Sequence, residues 1–455
     1  MKEQLLEIGA EVIAFGENAG ADKVEVFLES IRSLKLAMEG SKLQSVASKK
    51  DCGCGIRVIL DKRIGYSYAT TMELSSVKQA VKNAISLARI SSRDVDFFDL
   101  PSSSDTYPEV SGLYDEDICN LEPEEAVDLL MRAVQTNHEH LEHFTPLNFA
   151  TLQSKELTRA ITNSNELVCS SESTYIAMAL DATIRKDGQQ GNSWEFQQST
   201  QMNGIDPEGL GRKTAEYVLE TLDAAQIEGG RMPVILSPHA VSHLISSRRG
   251  GSLASVLDFL QVSKLNSYLV DMIGNKIGPD NLSLVDDAIL PSGVLSRSFD
   301  AEGAPSTKTR LIKEGVLCNY LHNSYSASKS GLQNTGNAWR ASYTSIPTIG
   351  PSNLILSPGD MSEDEILSET RRGVYCRFTG DLPNPISGDL NAIIMEGHYV
   401  ENGEKTHPVK NTLFSMNMLE LLMNIVYIGD VSTPTEGGFF PSIMIENAQV
   451  SSGKS

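Results

Sequence analysis

Apolar residues change their repeat several times along this chain, and that switching limits the fold more than any other feature. Leu5, Ile8, Val12, Ile13 and Phe15 fall at helical spacing, and Gly20 then leads into Val24-Glu25-Val26-Phe27-Leu28, which suits a strand. Gly55-Ile56-Arg57-Val58-Ile59-Leu60 and Gly65-Tyr66-Ser67-Tyr68-Ala69-Thr70 read as two more strands. From 75 to 90 the repeat is helical again, marked by Val77, Ala80, Val81, Ala84, Ile85 and Leu87. Residues 92–118 are rich in Ser, Asp and Pro and read as an irregular connection. A helix follows from Glu122-Pro123 through Ala133. Strands around 149–157 and 159–162 come next, then a turn at Asn163-Ser164-Asn165 and a strand over 174–185. A helix over 207–222 carries Pro207 in its first turn. Gly229-Gly230 then breaks the chain, and Pro233-Val234-Ile235-Leu236 opens a second unit.

The expected fold class is α+β in two lobes, an N-terminal α/β lobe over 1–228 and a β-rich lobe over 229–455. In the second lobe, hairpin turns are expected at Lys313-Glu314-Gly315 and at Glu401-Asn402-Gly403-Glu404, where Asn-Gly supplies positive φ. Helices are expected near 238–247 and 362–372.

A chain of 455 residues with 40% apolar and 21% charged content can bury its own core without disulfide staples. Its formal net charge of −21 argues against nucleic acid and against an anionic membrane surface as partners. Six scattered cysteines form no CxxC pair, which fits free thiols in a reducing compartment. Acidic residues interrupt the first 20 positions, so no signal-peptide core is read there. The apolar stretch around Leu421–Ile428 is far short of the about 20 residues that span a bilayer. The expected location is cytoplasmic. No GxGxxG, P-loop or GxSxG pattern supports nucleotide binding or α/β-hydrolase chemistry.

Several stretches, in order, carry a resemblance. They are Gly55-Ile56-Arg57-Val58-Ile59 with Arg63-Ile64-Gly65-Tyr66, and Ser298-Phe299-Asp300-Ala301-Glu302-Gly303-Ala304-Pro305. Leu311-Ile312-Lys313-Glu314-Gly315-Val316-Leu317, Tyr325-Ser326-Ala327, Thr335-Gly336-Asn337, Glu401-Asn402-Gly403-Glu404 and Pro408-Val409 follow. Each is weak alone; the ordered set resembles the TldD/PmbA family, once described as modulators of DNA gyrase. The resemblance implies a barrel-like C-terminal lobe, dimers, and a cytoplasmic peptidase system that degrades unfolded peptides and trims leader peptides. It also implies two branches. TldD-type chains carry zinc on a HExxxH motif plus a cysteine near the C-terminus; PmbA-type chains, also called TldE, lack those ligands and act as partners.

Zinc hydrolysis needs His, Cys or carboxylate ligands, an open coordination position and a base beside the bound water. Against the family motif, Pro238 stands at the first His, His239 at the Glu, and only His243 matches. The C-terminal stretch Thr435-Glu436-Gly437-Gly438-Phe439-Phe440-Pro441-Ser442 has no cysteine. The chain thus resembles the PmbA/TldE branch, with no cofactor of its own and zinc expected in a TldD-type partner. His239 and His243 remain the metal ligands if any exist, because four residues turn a helix by about 400° and leave the rings roughly 40° apart. A third ligand from His322, His398 or His407 is the open alternative. His138-Glu139-His140-Leu141-Glu142-His143 matches HExxxH literally, but it ends a first-lobe helix and reads as surface.

Asp300, Glu302 and Gly303 are candidates to line a peptide cleft, and Tyr325, Asn337 and Arg340 to bond a peptide backbone; loop structure explains either set equally well. No catalytic residue is expected in this chain. The leading expectation is a PmbA/TldE-like subunit of a peptidase assembly, paired with a TldD-type chain or with itself. Two alternatives stand beside it: a zinc peptidase with a diverged HxxxH site, and a non-enzymatic peptide-binding scaffold.

Overall fold

The computed structural model describes residues 2–453 except 105. Its first lobe is one six-stranded antiparallel sheet in the order β3-β2-β1-β4-β5-β6. The strands are β1 (Lys23–Glu39), β2 (Lys42–Leu60), β3 (Arg63–Ala69), β4 (Leu147–Asn163), β5 (Val168–Lys186) and β6 (Gln189–Ser199). Four of them run 17 to 19 residues, and the sheet curls into a half-barrel.

Alternation along β1 decides what each face does, because successive side chains point to opposite faces. Val24, Val26 and Leu28 pack under α1 (Lys2–Asn18) and α2 (Leu74–Ile90). Leu34, Leu36 and Met38, on the same face, pack under α3 (Pro123–His140), with Leu210 of α4 (Pro207–Leu219) in that cluster. The opposite face carries Glu25, Phe27 and Glu29, all buried. That face meets the second lobe.

The β-rich lobe holds two larger sheets. In one, β7 (Gly230–Leu236) lies between Arg372–Phe378, parallel to it, and Ile443–Ser452, antiparallel. The other centres on Leu284–Asp287 and Asn353–Leu356. Their joint core runs from Met232 to Val450. After β7 the chain turns directly into α5 (Pro238–Ser246), whose first turn Ser237 caps through a 3.3 Å bond from the Ala240 N–H.

The helix expected over 362–372 spans Glu363–Ser368 only, and a strand begins at Arg372. Asp286 and Asp287 end the strand Leu284–Asp287 and are buried. Among the described residues, no helix is long and apolar enough to cross a membrane.

Two histidines are buried in the second lobe. His322 packs against Phe259 with ring centroids 4.6 Å apart, and His398 contacts the Glu220 carbonyl at 3.0 Å. Burial pushes both imidazoles down to about 4. An unfolded histidine titrates near 6.5, so each group's contribution to stability is present above about pH 6.5 and is lost as pH falls through about 4. Urea unfolding at pH 7, 5.5 and 4 should therefore show a progressive loss, on the order of 2 kcal/mol per histidine. His322→Gln should make that acid loss shallower; an unchanged slope would contradict the assignment.

Candidate functional site

A cavity of about 800 Å³ lies between the half-barrel sheet and the second lobe. Its floor is the helix-free face of the sheet: Lys155, Leu157 and Arg159 of β4, Ser171, Ser173 and Tyr175 of β5, and Trp194, Phe196 and Gln198 of β6. The facing wall is α5, through His239, Ser242, His243 and Ser246, with Phe378 and the 435–437 turn beside it. Long alternating strands give the floor its regular rows of side chains.

Aromatic rings enclose the two histidines. His239 sits 5.8 Å from Trp194 and 5.9 Å from Phe196, and His243 lies 5.7 Å from Phe378, ring centre to ring centre. Trp194 in turn meets Phe378 edge-on at 5.2 Å. His239 Nε2 is 3.3 Å from Glu195 Oε2. Burial works against the Glu195 carboxylate, but His239, the Phe196 N–H and Arg377 more than offset it and hold its pKa below the usual range. Burial pushes the His243 imidazole down, and its Nε2 is buried without a hydrogen-bond partner.

Arg377 ties this region together. It donates to Glu396 and, at 2.8 Å, to the Trp194 carbonyl; it lies 3.4 Å from Glu195 and sits 3.8 Å over the Tyr217 ring. α5 is also held to the C-terminal turn, where the Thr435 hydroxyl donates to Ser242 Oγ at 2.8 Å. The fold thus brings the 238–243 stretch and the 435–442 stretch together, although nearly 200 positions separate them in the chain.

Of the residues expected at a cleft, Asp300, Arg340, His239 and His243 line this cavity, and Glu302, Gly303, Tyr325 and Asn337 do not. Asp300 accepts from the N–H groups of Glu302, Ala304 and Ala338, shaping its own loop; burial and the neighbouring Glu302 push its carboxyl up to about 7. Glu302 is fully buried and accepts from the Ser324 N–H at 3.0 Å, with Arg57 beside it. Gly303 has φ +83, and an added Cβ would meet Leu167 at 2.6 Å, so it is fixed by both conformation and packing. Tyr325 donates to Asp94 at 3.2 Å, and Asn337 donates to Asp286 at 2.6 Å. Arg340 borders the cavity but pairs with the buried Glu25.

Sequence reasoning missed Trp194, Glu195, Phe196, Arg248, Arg297 and Arg377. The alternation of Trp194 and Phe196 around a charged residue was the one local signal. Glu195 and Arg377 needed the contact between strands of different lobes, and Arg248 and Arg297 lie in irregular segments of the second lobe with no local motif.

The literal HExxxH stretch lies at the end of α3, far along the chain from the cleft wall. His138 Nε2 contacts Asn148 Oδ1 at 2.7 Å, His140 Nδ1 contacts the Thr136 carbonyl at 2.8 Å, and His143 is exposed.

With fold and site in hand, the chain is a two-lobed, metallopeptidase-like protein with its cleft between the lobes. Three domain models of one family match in order: PmbA/TldA metallopeptidase domain 1 over residues 24–88, the central domain over 116–222 and the C-terminal domain over 229–452. The chain belongs to the PmbA/TldD family. It is 28% identical to a protein named Metalloprotease from Methanothermobacter thermautotrophicus, over 88% of this chain and 86% of that one. It is 25% identical to Metalloprotease PmbA of Escherichia coli O157:H7, over 92% and 90%. The crystal structure of TldE from Thermococcus kodakarensis superposes with a TM-score of 0.89 at 22% identity, covering 98% of this chain and 100% of that one, which shows a shared fold.

A zinc centre of the TldD type does not fit the residues present. Pro238 offers no side-chain donor. His239 is turned onto Glu195, which also faces Arg377. His322, His398 and His407 do not line the cavity. Among the described residues, no three His, Cys, Asp or Glu side chains gather as a metal-holding group.

Proposed function

We propose that this chain is the PmbA/TldE-like, metal-free subunit of a TldD/PmbA-type peptidase assembly, acting on unfolded or leader peptides in the cytoplasm. Its part is to hold peptide in extended form and to complete the chamber of a zinc-bearing TldD-type partner; a homodimer is the variant without that partner. The observation that carries this reading is the first turn of α5, where Pro238 and a Glu195-bound His239 occupy the places of a zinc ligand and a catalytic base. Relatives named for both branches match this chain at similar identity, so names do not choose between branches; these residues are what supports the PmbA/TldE reading.

Peptide hydrolysis tests the reading. A casein-derived peptide mixture should stay intact with this chain alone and be cleaved when a TldD-type chain is added, faster than by that chain alone. Chelator-sensitive cleavage by this chain alone would favour a diverged HxxxH peptidase. The partner-free Nε2 of His243 is the one observation on that side. Absence of any stimulation would favour a peptide-binding scaffold.

A further inference from the structure

The chain carries 38 Lys and Arg against 59 Asp and Glu, yet its cleft reverses that balance. Six Lys or Arg side chains line the cavity, against Glu172, Asp300 and Glu436. Two of the six are already neutralised: Arg159 lies 2.8 Å from Glu29, and Arg340 pairs with Glu25. Arg248, Arg249 and Arg297 differ, because no carboxylate lies within 4 Å of any of them among the described residues.

Arg297 is half-buried. Its one side-chain hydrogen bond goes to the Gly336 carbonyl at 3.3 Å, and its Nε is buried without a partner. Asp300 and Asp286 act on it from a distance only, and burial lowers its pKa. Arg248 opens to the cavity, lies 4.6 Å over the Trp339 ring and donates to the Pro351 carbonyl at 3.1 Å. Two guanidinium groups without a carboxylate partner among the described residues, one with an unused buried donor, leave a desolvation cost that the protein itself does not offset. A bound anion offsets that cost, and a planar carboxylate matches the guanidinium fork.

We propose that Arg248 and Arg297, with Arg249 at the rim, form a carboxylate-binding subsite that anchors a peptide through its C-terminal carboxylate or an acidic side chain. This rests on the reading of the cleft as a peptide site. Arg248 and Arg249 follow α5 directly in the chain and line the same cavity as its histidines, so the anchored group fixes the register of a peptide held there.

Fluorescence anisotropy with three labelled heptapeptides on the purified full chain tests this. The first has an apolar sequence and a free C-terminus; the second is its C-terminal amide; the third is the amide with Glu at the last position. The free acid should bind roughly tenfold to hundredfold more tightly than the plain amide. Arg248→Gln should remove most of that difference between acid and amide. Arg297→Lys, which keeps the charge but loses the fork, should reduce it. Circular dichroism and Tm check that each variant folds. If the Glu-containing amide matches the free acid, side-chain carboxylates are accepted too; if it matches the plain amide, the subsite reads the C-terminus. Equal binding of acid and plain amide, or a difference that survives Arg248→Gln, overturns the subsite while leaving peptide binding standing. If no heptapeptide binds, the peptide-site reading fails and the subsite with it.

Discussion

Arg57→Met should destabilise the protein by about 3–5 kcal/mol, because it strips the cation from a buried junction between the lobes. Glu25 and Arg57 face each other directly across β1 and β2, with Arg57 NH2 2.5 Å from Glu25 Oε2. The second lobe supplies the other two members: Arg340 pairs with Glu25, and Glu302 Oε1 lies 3.0 Å from Arg57 NH1. All four are nearly or fully buried. Burial disfavours the Arg57 charge, but the two carboxylates outweigh it and raise its pKa. Burial likewise opposes the Glu25 charge, and the two arginines hold its pKa below the usual range. Methionine fills a similar volume, so the loss reports uncompensated carboxylates more than a cavity. Glu25 keeps Arg340, which limits the damage there; Glu302 loses its only ion-pair partner among the described residues. Urea unfolding followed by tryptophan fluorescence gives the value. A change below about 1 kcal/mol would mean the junction is dispensable, as well-packed apolar replacements of buried ion pairs sometimes are.

Arg377→Met should have a comparable cost, about 3–5 kcal/mol, with an added signature in the cleft. Removing it leaves Glu396 and Glu195 without their arginine and frees the Trp194 carbonyl. Glu195 then keeps His239, at 3.3 Å, as its remaining side-chain partner among the described residues. The Glu195 carboxyl should titrate at a higher pH in the variant, because Arg377 is one of the groups that hold its pKa below the usual range. Carboxyl-carbon NMR titration of Glu195 reads this directly, and Trp194 fluorescence reports any loosening of the aromatic wall. A purely structural role for Arg377 would lower stability and leave that titration unmoved.

Much of the fold was legible because hydrophobic period tracks burial. α2 and the Ser237-Pro238 start of α5 follow from local patterns alone. The long reach of β1 and β2 did not. Residues 42–50 (KLQSVASKK) are exposed on both sides, so no alternation marks them, although their partners on β1 hold them in register. β6 was missed for a related reason: its Gln, Asn and Ser residues resemble loop, and only pairing with β5 makes them strand. At the site, α5 and its two histidines were readable from position after a strand. Glu195, Arg377 and the Arg248–Arg297 pair were not, because each matters through groups far away in sequence. Glu302 and Asn337 show the converse. Polar residues in a glycine-punctuated stretch read equally well as ligand contacts or loop braces, and the hydrogen bonds to Ser324 and Asp286 are brace-like.

The proposal that this subunit carries no zinc is tested most directly by metal analysis of the purified full chain, after incubation with equimolar zinc and gel filtration. The account predicts far less than one zinc per chain, unchanged in His239→Ala and His243→Ala. One zinc per chain in the wild type, lost in either variant, would contradict it.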